Sequence, residues 1–195
     1  MLFLRKTAHY WITLLSIVGV VGLVFLNLNL SEQFAHQDEF APRWVAAKQW
    51  MTEGTSPYDR EVFEQTQALW KPYGYTADEL SQGHYLDLVW NLFLFLPFSF
   101  LPYLVARAIW MTIITLALFF SIWSGFDLAG VRFQPIEKVL IALLITLSYP
   151  SFKLILNASV LPLYVFFMII GTKKALEGRS TAAGIYFLLS FGMFP

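Results

Sequence analysis

Residues Tyr10 to Leu30 form an almost continuous apolar run, about the 20 residues an α-helix needs to cross a bilayer. That stretch constrains the chain more than any motif in it. Arg5 and Lys6 precede it. A cleaved signal peptide is the competing reading, but the run exceeds the about 7 to 15 apolar residues of a signal, and no small-residue cleavage site follows Leu30. We therefore read a retained first span. Composition agrees, since 57% hydrophobic, 18% aromatic and 13% charged residues describe an integral membrane protein. Thirteen basic and 13 acidic side chains cancel, so no net field draws nucleic acid. The chain has no cysteine, which removes disulfides, thiolate nucleophiles and cysteine metal sites from consideration.

From Ser31 to Asp87 the sequence turns polar, with ten acids against Arg43, Lys48, Arg60 and Lys71, a local charge of minus six. Short helices at the membrane surface are expected here. Trp44, Ala47 and Met51 share one helical face, Gly54 stops that helix, and Ser56-Pro57 can cap and start the next, continued by Val62, Thr66 and Leu69. Thr76 and Glu79 have capping-box spacing for a third. Asp38 and Glu39 place two adjacent carboxylates just beyond the first span. Trp44 and Trp50, which suit the water–lipid boundary, follow them.

Leu88 to Trp123 is too long for one span and is divided at Pro97 and Pro102. The division predicts a short interfacial or re-entrant helix, Leu88 to Leu101, and a second span from Pro102 to Trp123. Gly125 to Lys138 connects to a broken helix, Ile136 to Leu156, interrupted at Pro150-Ser151. Broken backbone at membrane depth must be buried or face a wet cavity. Val160 to Gly171 and Ala182 to Pro195 supply two more apolar segments, joined by the polar turn Thr172 to Ser180. The expected fold is thus all-α, a polytopic transmembrane helical bundle over residues 1–195. Its spans lie near 10–30, 102–123, 136–156, 160–171 and 182–195, with a folded outer loop at 31–87.

With the amino terminus inside, the inner loops carry Arg5, Lys6, Arg132, Lys138, Lys173, Lys174 and Arg179 against three acids, as the positive-inside bias requires. The acidic loop then faces outward from a cytoplasmic (inner) membrane. The final apolar segment runs flush to Pro195, from which we expect the amino-terminal portion of a longer protein.

Four places in the chain carry a resemblance. Asp38-Glu39-Phe40 after one span is followed by an Ala-containing helix, Gly54 and Ser56-Pro57-Tyr58-Asp59. Tyr85 precedes Pro97-Phe98-Ser99-Phe100-Leu101-Pro102, Trp110 follows, and Asn157-Ala158-Ser159 closes the broken span. This order resembles the multispanning GT-C glycosyltransferases, and among them glycosyltransferase family 87, similar to the polyprenyl-phosphate-mannose-dependent mannosyltransferases. Asp87-Leu88 stands where that family has paired prolines, and Asn157 where it has glutamine. The family is also longer, so the 195 residues alone are expected to be inactive.

The resemblance implies transfer of a hexose, mannose by analogy, from a polyprenyl-phosphate donor to a lipid or glycan hydroxyl of the cell envelope, with no cofactor. Such transfer needs a base for the hydroxyl proton, a contribution of about 10² to 10⁴ in rate. Asp38 matches the family's acidic position. Glu39 beside it could act on it through like-charge repulsion or stand in for it; the competing reading is two solvated carboxylates in an acidic loop. The departing lipid phosphate asks for fixed positive charge, for which Arg107 and Lys153 are the candidates. An arginine in an apolar run pairs, reaches a cavity or snorkels. Tyr58 and Asn157 are carried over as substrate contacts. A metal on His36, Asp38 and Glu39 is disfavoured, because adjacent residues splay apart and no second histidine is near. No glycine-rich nucleotide loop, hydrolase serine elbow or basic aromatic patch is present. The competing function is non-catalytic: binding or scaffolding lipid-linked sugar assembly.

Overall fold

The apolar runs become helices because a backbone in hydrocarbon has no water to satisfy its polar groups and must pair them internally. A computed structural model describes residues 2–34, 38–73, 85 and 87–192. Among these, every regular element is helical. Helix α1 (Leu2–Gln33) contains the first apolar run and continues past both of its ends. Helices α2 (Phe40–Glu53) and α3 (Arg60–Trp70) follow in the acidic loop. Then come α4 (Leu92–Ser99), α5 (Tyr103–Leu128), α6 (Pro135–Thr146), α7 (Tyr149–Leu156), α8 (Leu161–Leu176) and α9 (Ser180–Gly192).

Two helices are long and apolar enough to cross a membrane, over Thr13–Gln33 and Tyr103–Leu128, which marks the chain as a membrane protein. A third crossing is possible if α6 and α7, bent by 63°, form one span. Helices α8 and α9, with 16 and 13 residues, fall short of the length that a lone crossing needs. Five equivalent spans are therefore not what the helix lengths show.

Helix α5 is the axis of the bundle, touching α1, α6, α7 and α8. Between Arg107 and Asp127 it carries no charged side chain. At about 1.5 Å per residue those two stand about 30 Å apart along the helix, one hydrocarbon thickness. Its partner α1 is mostly exposed and grips it through polar contacts: Asn27 donates to the Thr112 hydroxyl at 3.0 Å, and Ser31 to the Met111 sulfur at 3.4 Å.

Several boundaries differ from the expectations above, each for a local reason. Gly54 does stop α2, at φ 69, the left-handed conformation that glycine adopts without a Cβ clash. Trp44 and Ala47 of the expected face are buried, but Met51, in the last turn, is 47% exposed. Helix α3 begins at Arg60 rather than Ser56-Pro57, with Asp59 in the extended N-cap position and its carboxylate accepting the Ser56 amide. Val62 and Thr66 face inward as expected.

Pro97 lies inside α4 and does not end it; the chain turns at Phe100 to Pro102 instead. Helix α5 then runs through Gly125 to Leu128, shortening the connector. The break in the third apolar region falls at Leu147–Ser148, two residues before Pro150. Pro150 sits in the first turn of α7, where its missing N–H costs nothing. Helix α8 continues to Leu176, absorbing part of the expected turn, with Lys173 and Lys174 in its last turn, where cations suit the helix dipole. The helix expected at Thr76 to Glu79, and His36 and His84, lie outside the described residues.

Candidate functional site

The carboxylate of Asp38 organises the junction between the first span and the loop. Its Oδ1 accepts the Ala41 amide at 2.8 Å, closing the first turn of α2, and its Oδ2 accepts the Tyr103 hydroxyl at 2.9 Å and Arg107 Nε. Anionic groups at a helix start are favoured by the free N–H groups there. The Asp38 side chain is 1% exposed and that of Arg107 is 0%. Structure thus selects pairing, among the three fates open to an arginine in an apolar run.

Arg107 does more than neutralise Asp38. Its Nη2 donates to the Phe34 carbonyl at 2.9 Å and to the Leu156 carbonyl at 2.6 Å, and Nη1 to the Met111 sulfur at 3.3 Å. The first two acceptors lie at the carboxyl-terminal ends of α1 and α7, where the helix dipole favours a cation. One guanidinium therefore joins α1, the loop, α5 and α7.

A second pair lies alongside. Arg43, on the first turn of α2, makes a two-pronged contact with Asp87. Its Nη1 donates to the Glu39 carbonyl and stands 3.5 Å from Glu39 Oε2. Burial works against the Arg43 charge, but the bonded Asp87 carboxylate, with Glu39 near by, raises its pKa above the ordinary arginine value. Tyr58 donates to the Asp87 carbonyl at 2.8 Å and Tyr85 to that of Leu88 at 2.9 Å. Burial, reinforced by the Asp87 charge, pushes the Tyr85 hydroxyl well above its usual pKa.

Glu39 meets the broken span directly. Its amide donates to the Asn157 carbonyl at 2.9 Å, and its Oε2 accepts the Ser159 hydroxyl at 3.0 Å. Ala158 between them adopts φ 50, a left-handed conformation costing a non-glycine residue about 1–2 kcal/mol. Trp110 holds the strained turn by donating Nε1 to the Ala158 carbonyl at 2.9 Å. Next to the carboxylates in sequence, Phe40 stacks on Tyr103 and Trp110 and meets Phe95 and Phe98 edge-on, an aromatic cluster within the hydrophobic core.

Of the residues singled out in the sequence, Asp38, Glu39, Arg107 and Asn157 converge. Tyr58 joins through the Asp87 backbone. Lys153 does not: it lies on the exposed face of α7 with Tyr149 and Phe152. Four members were not anticipated in these roles. Arg43 carries a local signal, its i,i+4 spacing from Glu39. Asp87 and Tyr103 carry none, because their partners are distant in sequence; Ser159 stands in the Asn157-Ala158-Ser159 turn already singled out, but its partner Glu39 is 120 residues away.

An apolar groove of about 740 Å³ runs between the segment after Asp87 and α9, lined by Trp90, Phe93, Leu94, Leu188, Leu189 and Phe191, with Asn91. Among the described residues no cluster of acids and histidines suits a metal ion. Comparison with known protein families, curated proteins and solved structures finds no match to this chain.

Proposed function

We propose that the protein is a GT-C-like membrane glycosyltransferase, moving a hexose, mannose by analogy, from a polyprenyl-phosphate donor to a lipid or glycan hydroxyl at the outer face of a cytoplasmic membrane. One observation carries the reading: two adjacent carboxylates, supported by two arginines and a strained turn, sit one hydrocarbon thickness from the charged groups at the far end of α5. Buried ionisable groups beside a span are costly and mark candidate functional sites, and a lipid-linked sugar presents its reacting bond at the membrane boundary. The apolar groove lined by Trp90, Phe93 and Leu188 suits a lipid chain.

A specific observation favours a second reading, in which the protein binds or scaffolds lipid-linked sugars without turnover. Both arginines are occupied by Asp38, Asp87 and backbone carbonyls, so neither offers a ready contact for a departing phosphate. Supplying membranes that carry the full-length protein with radiolabelled polyprenyl-phosphate mannose separates the two. Protein-dependent label in a lipid or glycan product is expected for the transferase. Donor retention by the purified protein, without product, would replace it with the binding reading.

A further inference from the structure

Adjacent in sequence, Asp38 and Glu39 are opposites in environment. Asp38 accepts three hydrogen bonds on two oxygens and is sealed from solvent. The Glu39 side chain is 46% exposed. Its side-chain contacts, with Ser159 and Arg43, fall on Oε2, leaving Oε1 without a partner among the described residues. Its backbone is held at both ends, N–H to Asn157 and carbonyl to Arg43. An accessible carboxylate oxygen on a fixed backbone is what a proton acceptor requires, since a base must come within hydrogen-bond reach of the proton it removes.

We infer that Glu39, not Asp38, is the group that takes the acceptor proton, and that Asp38 is a positioning residue that locks the α2 start against Arg107. This assignment rests on the transferase reading. In the step, the acceptor O–H proton passes to Glu39 Oε1 as the acceptor oxygen bonds to the anomeric carbon. The bond from that carbon to the phosphate oxygen breaks, and its electron pair leaves with the polyprenyl phosphate. Ser159 and Arg43 hold Oε2, so the carboxylate turns one fixed edge outward.

Two experiments test it. Glu39→Gln keeps length and an acceptor for Ser159, so membrane abundance and unfolding temperature should match the unsubstituted protein. Its kcat should fall by about 10² to 10⁴ with donor KM little changed, and formate should restore part of the transfer to Glu39→Ala. Ordinary transfer by Glu39→Gln would overturn the assignment while leaving the transferase standing; no transfer by the unsubstituted full-length protein would remove both. Independently of activity, a water-soluble carbodiimide and an amine should label Glu39 and spare Asp38 in the folded protein. Label on Asp38 instead would overturn the division of roles.

Discussion

The two ends of α5 hold acid–base contacts of similar chemistry under opposite conditions. At one end, Arg107 and Asp38 are sealed beneath the loop. At the other, Asp127 is 36% exposed and meets Lys138 at 2.6 Å and Lys173 at 3.7 Å. Water and salt screen the second set, and exposed pairs are worth about 0–1 kcal/mol. The first pair has lost its hydration, so neither partner can be left alone without a large penalty. Charge at the exposed end is interchangeable, whereas at the sealed end it dictates where the loop, α1 and α7 must sit.

Breaking the sealed pair should have the largest effect. Asp38→Asn leaves the Arg107 charge buried without its counterion and should cost about 3–5 kcal/mol, read as a lowered thermal unfolding temperature in detergent or nanodiscs. The apolar double variant Asp38→Leu with Arg107→Met sharpens the point: it removes the unpaired charge but strands the Ala41 amide, the Tyr103 hydroxyl and the Phe34 and Leu156 carbonyls, so it should recover only part of that loss. Next comes an uncharged contact at the same end. Trp110→Phe strands the Ala158 carbonyl and should cost about 1–3 kcal/mol, with protease cleavage after Lys153 becoming faster as the turn loosens. Smallest is Asp127→Asn, expected below about 1 kcal/mol and smaller still in high salt. An Asp127→Asn loss equal to that of Asp38→Asn would show that burial is not what separates the two ends.

Hydropathy made α1 and α5 legible, because a span is written as one long local run. Gly54 was equally readable, since a left-handed helix stop has one preferred residue. Proline was a partial guide: Pro102 marks the break before α5 and Pro97 stays within α4, whereas Pro150, read as the interruption, opens α7, a first-turn site where proline fits. In the site, Asp38, Glu39 and Arg107 stood out as charges beside apolar runs. Their allocation did not, because burial depends on which helices close over them. Arg43 and Asp87 lie 44 residues apart, and that pairing exists only once α2 and α4 have packed. Asp87, to which the sequence assigned no role, is the partner of Arg43.

Helix α5 also has a consequence for bilayers of unequal thickness. Arg107 is held on all sides and cannot extend toward water, while Lys138 and Lys173 end in flexible stems that can. A hydrophobic mismatch must then be absorbed by lysine reach and by tilt at the Asp127 end. The carboxylates at the other end keep a constant depth, so the protein measures the membrane from its loop side.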